Sequence, residues 1–159
     1  MKKVEKVGMM GIVNYIHRDK NGKVLMDRTI TNQIQNAGLA EVSSLILTDD
    51  PGSATAFDYM ALGSGTGQAV TDTTLATEIA ASGGERAAGT GTQTTTTVAN
   101  DTSQLVVTYS FTGALAITEA GIFNASSSGD MLCYQDFSVI NVTSGDSLEV
   151  TWKVAFARP

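Results

Sequence analysis

Between Val7 and His17 apolar and polar residues partly alternate, the period of two that marks a half-buried strand. The pattern stops at Asp19-Lys20-Asn21-Gly22, a turn signal of the Asn-Gly type, and apolar residues resume at Val24-Leu25-Met26. These positions predict an amino-terminal β-hairpin. The period then lengthens: Thr31 or Asn32 can cap a helix in which Ile34, Leu39, Val42, Leu45 and Ile46 recur near helical spacing, and Asp49-Asp50-Pro51-Gly52 ends it. Gly38 inside this stretch predicts a break into two turns.

Residues 57–62 alternate as a short strand and run into the loop Gly63-Ser64-Gly65-Thr66-Gly67. Asp72 or Thr73 is placed to cap a short second helix over residues 74–79. The threonine-rich run 90–98 and the β-branched and aromatic run 104–111 flank Asn100-Asp101, which predicts a hairpin. Residues 120–124, 131–139 and 147–156 read as three further strands, separated by Ser126-Ser127-Ser128-Gly129 and Ser144-Gly145-Asp146. In the last of them Val150, Trp152 and Val154 share one face, so the indole is expected in the interior. Short strands at regular spacing predict a mostly β fold, a β-sandwich or jelly-roll-like barrel with one or two short helices as lids. The Thr/Gly/Ser-rich stretch 83–97 continues in register into a credible strand. Residues 1–159 are therefore expected to form a single domain.

A chain of 159 residues can bury about two-thirds of its unfolded surface and needs no disulfide. The single cysteine, Cys133, lies in the apolar run Met131-Leu132-Cys133-Tyr134, where a small buried thiol is the ordinary expectation. The start Met1-Lys2-Lys3-Val4-Glu5-Lys6 is basic, but Asn14, His17, Arg18 and Asp19 break up the stretch after it, so no signal-peptide core is read there. No run approaches the roughly 20 apolar residues of a membrane helix, and no membrane partner is expected.

Charge is unevenly placed. Residues 1–28 hold seven of the ten basic groups against three acids, net +4, whereas the rest of the chain has three basic and thirteen acidic groups, net −10. Lys2, Lys3 and Lys6 are therefore the candidate docking residues of a basic hairpin or arm spanning 1–28. Nucleic acid is not an expected partner, because a chain of net charge −6 without a basic stripe lacks the footprint that phosphate recognition requires.

Reactive groups are sparse. The glycine-rich loop at 63–67 has no P-loop lysine and does not match G-x-G-x-x-G. His17 is the only histidine, it is read as a solvated side chain, and with Cys133 more than a hundred residues away no zinc set or nucleophile-base pair forms in the sequence. The aspartates at 49, 50, 58 and 72 lack EF-hand spacing and read as turn or cap residues. No catalytic residue, metal or cofactor is expected, and an enzyme is not the reading. A carbohydrate-binding module would want exposed aromatics, but Tyr15, Tyr59, Tyr109 and Trp152 fall at strand-interior positions.

Three pieces read in order resemble a family of tailed-bacteriophage virion structural proteins. Leu62-Gly63-Ser64-Gly65-Thr66-Gly67 with Thr71-Asp72-Thr73-Thr74-Leu75-Ala76-Thr77-Glu78 is similar to its G-x-G-T … T-D-T-x-L-x-x-E stretch. Ile117-Thr118-Glu119-Ala120-Gly121-Ile122-Phe123 is similar to its I-x-E-A-G-L-F strand. Gly129-Asp130-Met131, Phe137-Ser138-Val139 and Gly145-Asp146-Ser147-Leu148-Glu149-Val150-Thr151-Trp152 resemble its carboxy-terminal pattern, although the basic residue usual after G-x-M is missing around Cys133-Tyr134-Gln135. The resemblance implies a β-rich virion subunit without catalysis: a capsid decoration or cementing protein, or alternatively a tail-fibre or baseplate adaptor or receptor-binding component. Its partners would be the major capsid protein or another virion protein, in particles assembled in the host cytoplasm; the polar strand surface of the threonine-rich hairpin adds the expectation of a homo-trimer. Within it Glu119 lies among Ala116, Ile117, Ala120, Ile122 and Phe123, so it should be half-buried and in want of a partner. Arg86, the only basic residue between positions 29 and 152, is paired with it, and Glu78 is a second acceptor for the same arginine.

Overall fold

A computed structural model describes residues 7–46 and 55–157. The expected amino-terminal hairpin is β1 (Gly8–Arg18) and β2 (Val24–Ile34). Its turn is closed by hydrogen bonds from Asp19 N to Lys23 O and from Gly22 N to Asp19 O, and Gly22 takes φ +82°, which a side chain would oppose. The strand pattern outlasts its sequence signal. β2 stays paired with β1 through Asn32 and then meets a later strand at Gln33 and Ile34, so Thr31 and Asn32 lie in the ladder and do not cap a helix.

The helix α1 (Asn36–Ile46) starts instead at Gln35, whose carbonyl accepts the Leu39 N–H. It is continuous through Gly38. A Cβ there would stand 2.5 Å from Leu132 Cα, so the glycine permits a close helix-to-strand approach and does not break the helix. The expected stop at Asp49 to Gly52 lies outside the described residues.

The remaining strands are β3 (Tyr59–Gly63), β4 (Ala87–Ala88), β5 (Thr90–Thr94), β6 (Thr102–Ser110), β7 (Leu115–Phe123), β8 (Met131–Val142) and β9 (Ser147–Ala157). All neighbouring pairs are antiparallel, in the order β4-β3-β7-β8-β2-β1-β9-β6-β5. Both ends of that order belong to one stretch of chain, since only Gly89 separates β4 from β5. The sheet is thus a nearly closed barrel, and the mostly β fold with a short helix is as the sequence predicts. Among the described residues the β2–β8 ladder has two residue pairs, Gln33↔Tyr134 and Ile34↔Cys133.

The barrel interior is filled by alternate residues of facing strands. On β9 Leu148, Val150, Trp152 and Val154 are buried, and Trp152 lies between Val13 on β1 and Leu105 on β6. Tyr15 and Tyr109 are buried as well, in keeping with their reading as interior residues. The described part of the 1–28 segment, residues 7–28, is therefore built into the barrel. β1 pairs on both sides, with β2 and β9, and sends Val13, Tyr15 and His17 inward.

The second expected helix is absent. Residues 74–79 bend along the end of β3 and touch it at the single bridge Gly63↔Glu78, with Ser64 N donating to Thr77 O and Ile79 N to Leu62 O. Asp72 caps nothing helical; its carboxylate accepts the Ala69 N–H in a local turn. Six residues of helical spacing lose to these bonds because a helix that short is marginal on its own.

Candidate functional site

The connection between β3 and β4 lies across the outer face of β3, β7 and β8, where it builds a second small core. Ala61, Leu75, Phe123, Met131 and Tyr134 form it, with Tyr59 packed alongside. The half of β7 from Glu119 to Phe123 is consequently buried on both faces. Glu119 points into this outer layer and is fully buried, beyond the half-burial expected. Its Oε1 accepts the N–H groups of Gly65 at 2.9 Å and Thr77 at 2.8 Å, and Oε2 accepts that of Ala76 at 3.1 Å. Three backbone donors take the place of a cation. A Cβ at Gly63 would stand 2.5 Å from Glu119 Oε1, and one at Gly65 2.7 Å, so both glycines are steric requirements of the carboxylate.

Arg86 is not the partner of Glu119. Its guanidinium forms a two-pronged pair with Glu78, Nε to Oε1 at 2.9 Å and Nη2 to Oε2 at 2.7 Å. Nη1 donates to the carbonyls of Ala125 and Ser128, and the group lies 3.7 Å over the Phe123 ring. The expected pairing of Arg86 with Glu119 does not form, and the second acceptor the sequence offered, Glu78, is the one Arg86 takes. Backbone donors carry no residue-type signal, so the true partners of Glu119 were invisible. The two motif pieces around residues 62–78 and 117–123 nevertheless meet in this one knot.

The only histidine is buried, not solvated. His17 Nε2 lies 3.2 Å from Asp146 Oδ2, an oxygen that also accepts the Thr143 N–H at 2.8 Å and the Thr143 hydroxyl at 3.1 Å. An ionised carboxylate can only accept, so Nε2 carries the proton. The Thr143 N–H and the His17 contact hold the Asp146 carboxyl below its ordinary value. A carboxyl lowered on folding stabilises the fold above its unfolded pKa of about 4 and loses that contribution as pH falls through the folded value. Asp146→Asn should therefore flatten the acid limb of stability: in urea titrations from pH 7 to 3 the variant should lose less stability below about pH 4 than the wild type. Parallel acid limbs would contradict this.

Burial pushes the Cys133 thiol up to about 12, the reverse of an activated nucleophile. Ellman's reagent should leave it unmodified in the folded protein at neutral pH and react with one thiol per chain in denaturant. Rapid reaction of the native protein would contradict the buried position.

Lys2, Lys3 and Lys6 lie outside the described residues. Of the other basic groups in 1–28, Lys20 and Lys23 are exposed at the hairpin turn. Arg28 is spent within the chain, with Nη2 on Ser138 O at 2.9 Å and the guanidinium 5.4 Å from the Phe137 ring. At the other end of the barrel a cleft of about 480 Å³ opens between α1 and the β5–β6–β9 wall, lined by Met9, Leu45, Phe57, Leu105, Trp152 and Phe156 among others. Among the described residues no three of His, Cys, Asp and Glu gather as a metal-binding group, and no helix is long and apolar enough to cross a membrane. No family model, curated protein or solved structure matches the chain.

Proposed function

We propose that the chain is a structural protein of a tailed-bacteriophage virion, a capsid decoration or cementing subunit that forms a homo-trimer and binds the major capsid protein or another virion protein. It works by burying area and pairing strands, not by chemistry. The observation that carries the reading is the Glu119 knot. The residues at 62–78 and 117–123 that resemble the virion family engage one another there, with Glu119 on Gly65, Ala76 and Thr77, and Leu75 packed near Phe123. The likeness therefore resides in residues that hold an architecture together, which supports transferring a scaffold role.

Charge supports the mode of attachment. Lys2, Lys3 and Lys6 precede a chain whose remainder beyond residue 28 is net acidic, so the basic end is suited to an acidic face of the shell or of a neighbouring copy. Deleting residues 2–6 should weaken co-sedimentation with particles and reduce its dependence on salt. Binding equal to that of the full chain at low salt would remove these lysines from the interface. The reading as a whole is tested by mass spectrometry and antibody labelling of purified particles, with sedimentation of the free protein for its trimer. Label on the head supports decoration. Label on the tail replaces it with the fibre or baseplate role, and particles without the protein end the virion reading.

A further inference from the structure

The cleft at the α1 end is where the barrel fails to close. β3 and the β4–β5 stretch are zipped from Met60↔Ala87 to the Gly89 N–H, which donates to Asp58 O at 2.7 Å. Beyond that bond the ladder ends, and Phe57 and β5 become opposite walls of the 480 Å³ opening. Among the described residues β5 pairs on one side only, with β6. Alternation fixes what its other side presents. Gly89 donates toward β3, so Gly91 and Gln93, two and four residues on, turn their N–H and C=O groups the same way, away from β6. Among the described residues no backbone group pairs with them.

Two further features match this free ladder. Gly91 is opposite Leu105, whose side chain is buried, so position 91 faces inward; it has no side chain, and nothing lies within 4 Å of where its Cβ would stand. The space beside the ladder is floored by Leu105, Trp152 and Phe57 and rimmed by the half-exposed Leu45 and Phe156. The edge sequence Thr90-Gly91-Thr92-Gln93-Thr94 also has none of the lysine or proline that blunts an open edge.

We infer that this seam takes up an extended segment of a partner protein as an added strand along the roughly 17 Å of β5, with alternate apolar side chains of the segment filling the cleft. A small apolar molecule would use the floor and leave the Gly91 and Gln93 groups unanswered. A strand uses both, the chemistry of β-augmentation. The seam narrows the reading of the chain as a protein-binding subunit to one surface, and it fails separately from that reading: particles lacking the protein would end the virion role and leave binding at the seam untouched.

The test is fluorescence anisotropy of the full chain with a fluorescein-labelled peptide of alternating valine and threonine between terminal lysines. Saturable binding is expected, weakened about tenfold when the peptide amides that face β5 are N-methylated, the order of one backbone hydrogen bond. Gly91→Pro and Gln93→Pro each remove an outward donor where an edge strand tolerates proline, and each should weaken binding similarly while leaving the tryptophan emission unchanged. Leu45→Asp should weaken it through the apolar rim. Absence of peptide binding overturns the inference. So does equal binding by both proline variants, and so does uptake of the dye anilinonaphthalene sulfonate that the peptide does not displace.

Discussion

Trp152→Ala is expected to destabilise the protein by about 3–5 kcal/mol, the range for removing a buried indole, a large share of the 5–15 kcal/mol that typically separates folded from unfolded domains. Trp152 is 1% exposed and sits in the middle of the most continuous wall of the barrel, with Val13 and Leu105 as cross-strand neighbours. It also lines the open cleft. Solvent can therefore enter part of the space that truncation leaves, and the loss should fall toward the lower end, about 3 kcal/mol. For a chain of this size that lowers the melting temperature by roughly 6–12 °C. Because the chain has a single tryptophan, its emission reports this site alone. The wild type should emit at short wavelength and resist iodide quenching. A loss under 1 kcal/mol, or red-shifted and freely quenched emission, would place the ring at the surface and reopen the sugar-binding alternative.

The position of Trp152 was legible because period two along β9 leaves the indole no other face: Val150 and Val154 on either side of it demand burial. The same period gave the β1–β2 and β5–β6 hairpins and the mostly β class. It failed where tertiary bonds outrank local preference. Thr31 and Asn32 resemble caps, yet ladder bonds to β1 and β8 carry the strand past them to Ile34. Leu75 and Ile79 sit at helical spacing, yet the N–H groups of Ala76, Thr77 and Ile79 are committed to Glu119 and to Leu62 O. His17 resembles a solvated residue of a charged hairpin because its partner, Asp146, is 129 residues away in the chain. The seam beside β5 was illegible for a related reason: Gly91 in a threonine-rich run shows its meaning only once Leu105 is known to lie opposite.

Glu119→Ala should be as costly as the loss of the tryptophan, although it removes no apolar core. Truncation leaves the N–H groups of Gly65, Ala76 and Thr77 without their acceptor in a layer closed over by Leu75 and Phe123. A buried polar group left unpaired costs about 1–3 kcal/mol, and three such groups, partly relieved by water entering the vacated space, sum to about 4 kcal/mol. Glu119→Gln separates charge from shape. The amide oxygen can still serve Gly65 and Thr77, but its nitrogen must then face the Ala76 N–H, donor against donor, so the isosteric change should cost at least about 1 kcal/mol. The two substitutions differ from a core truncation in where the loss appears. Amide hydrogen exchange should accelerate first at Gly65, Ala76 and Thr77, as the β3–β4 connection lifts from the outer face of β7 while the β1–β9–β6 wall stays protected. Uniform loss of protection across the barrel would show that Glu119 stabilises the fold as a whole and does not pin that connection, and stability of Glu119→Ala within 1 kcal/mol of the wild type would mean that the three N–H groups find other acceptors.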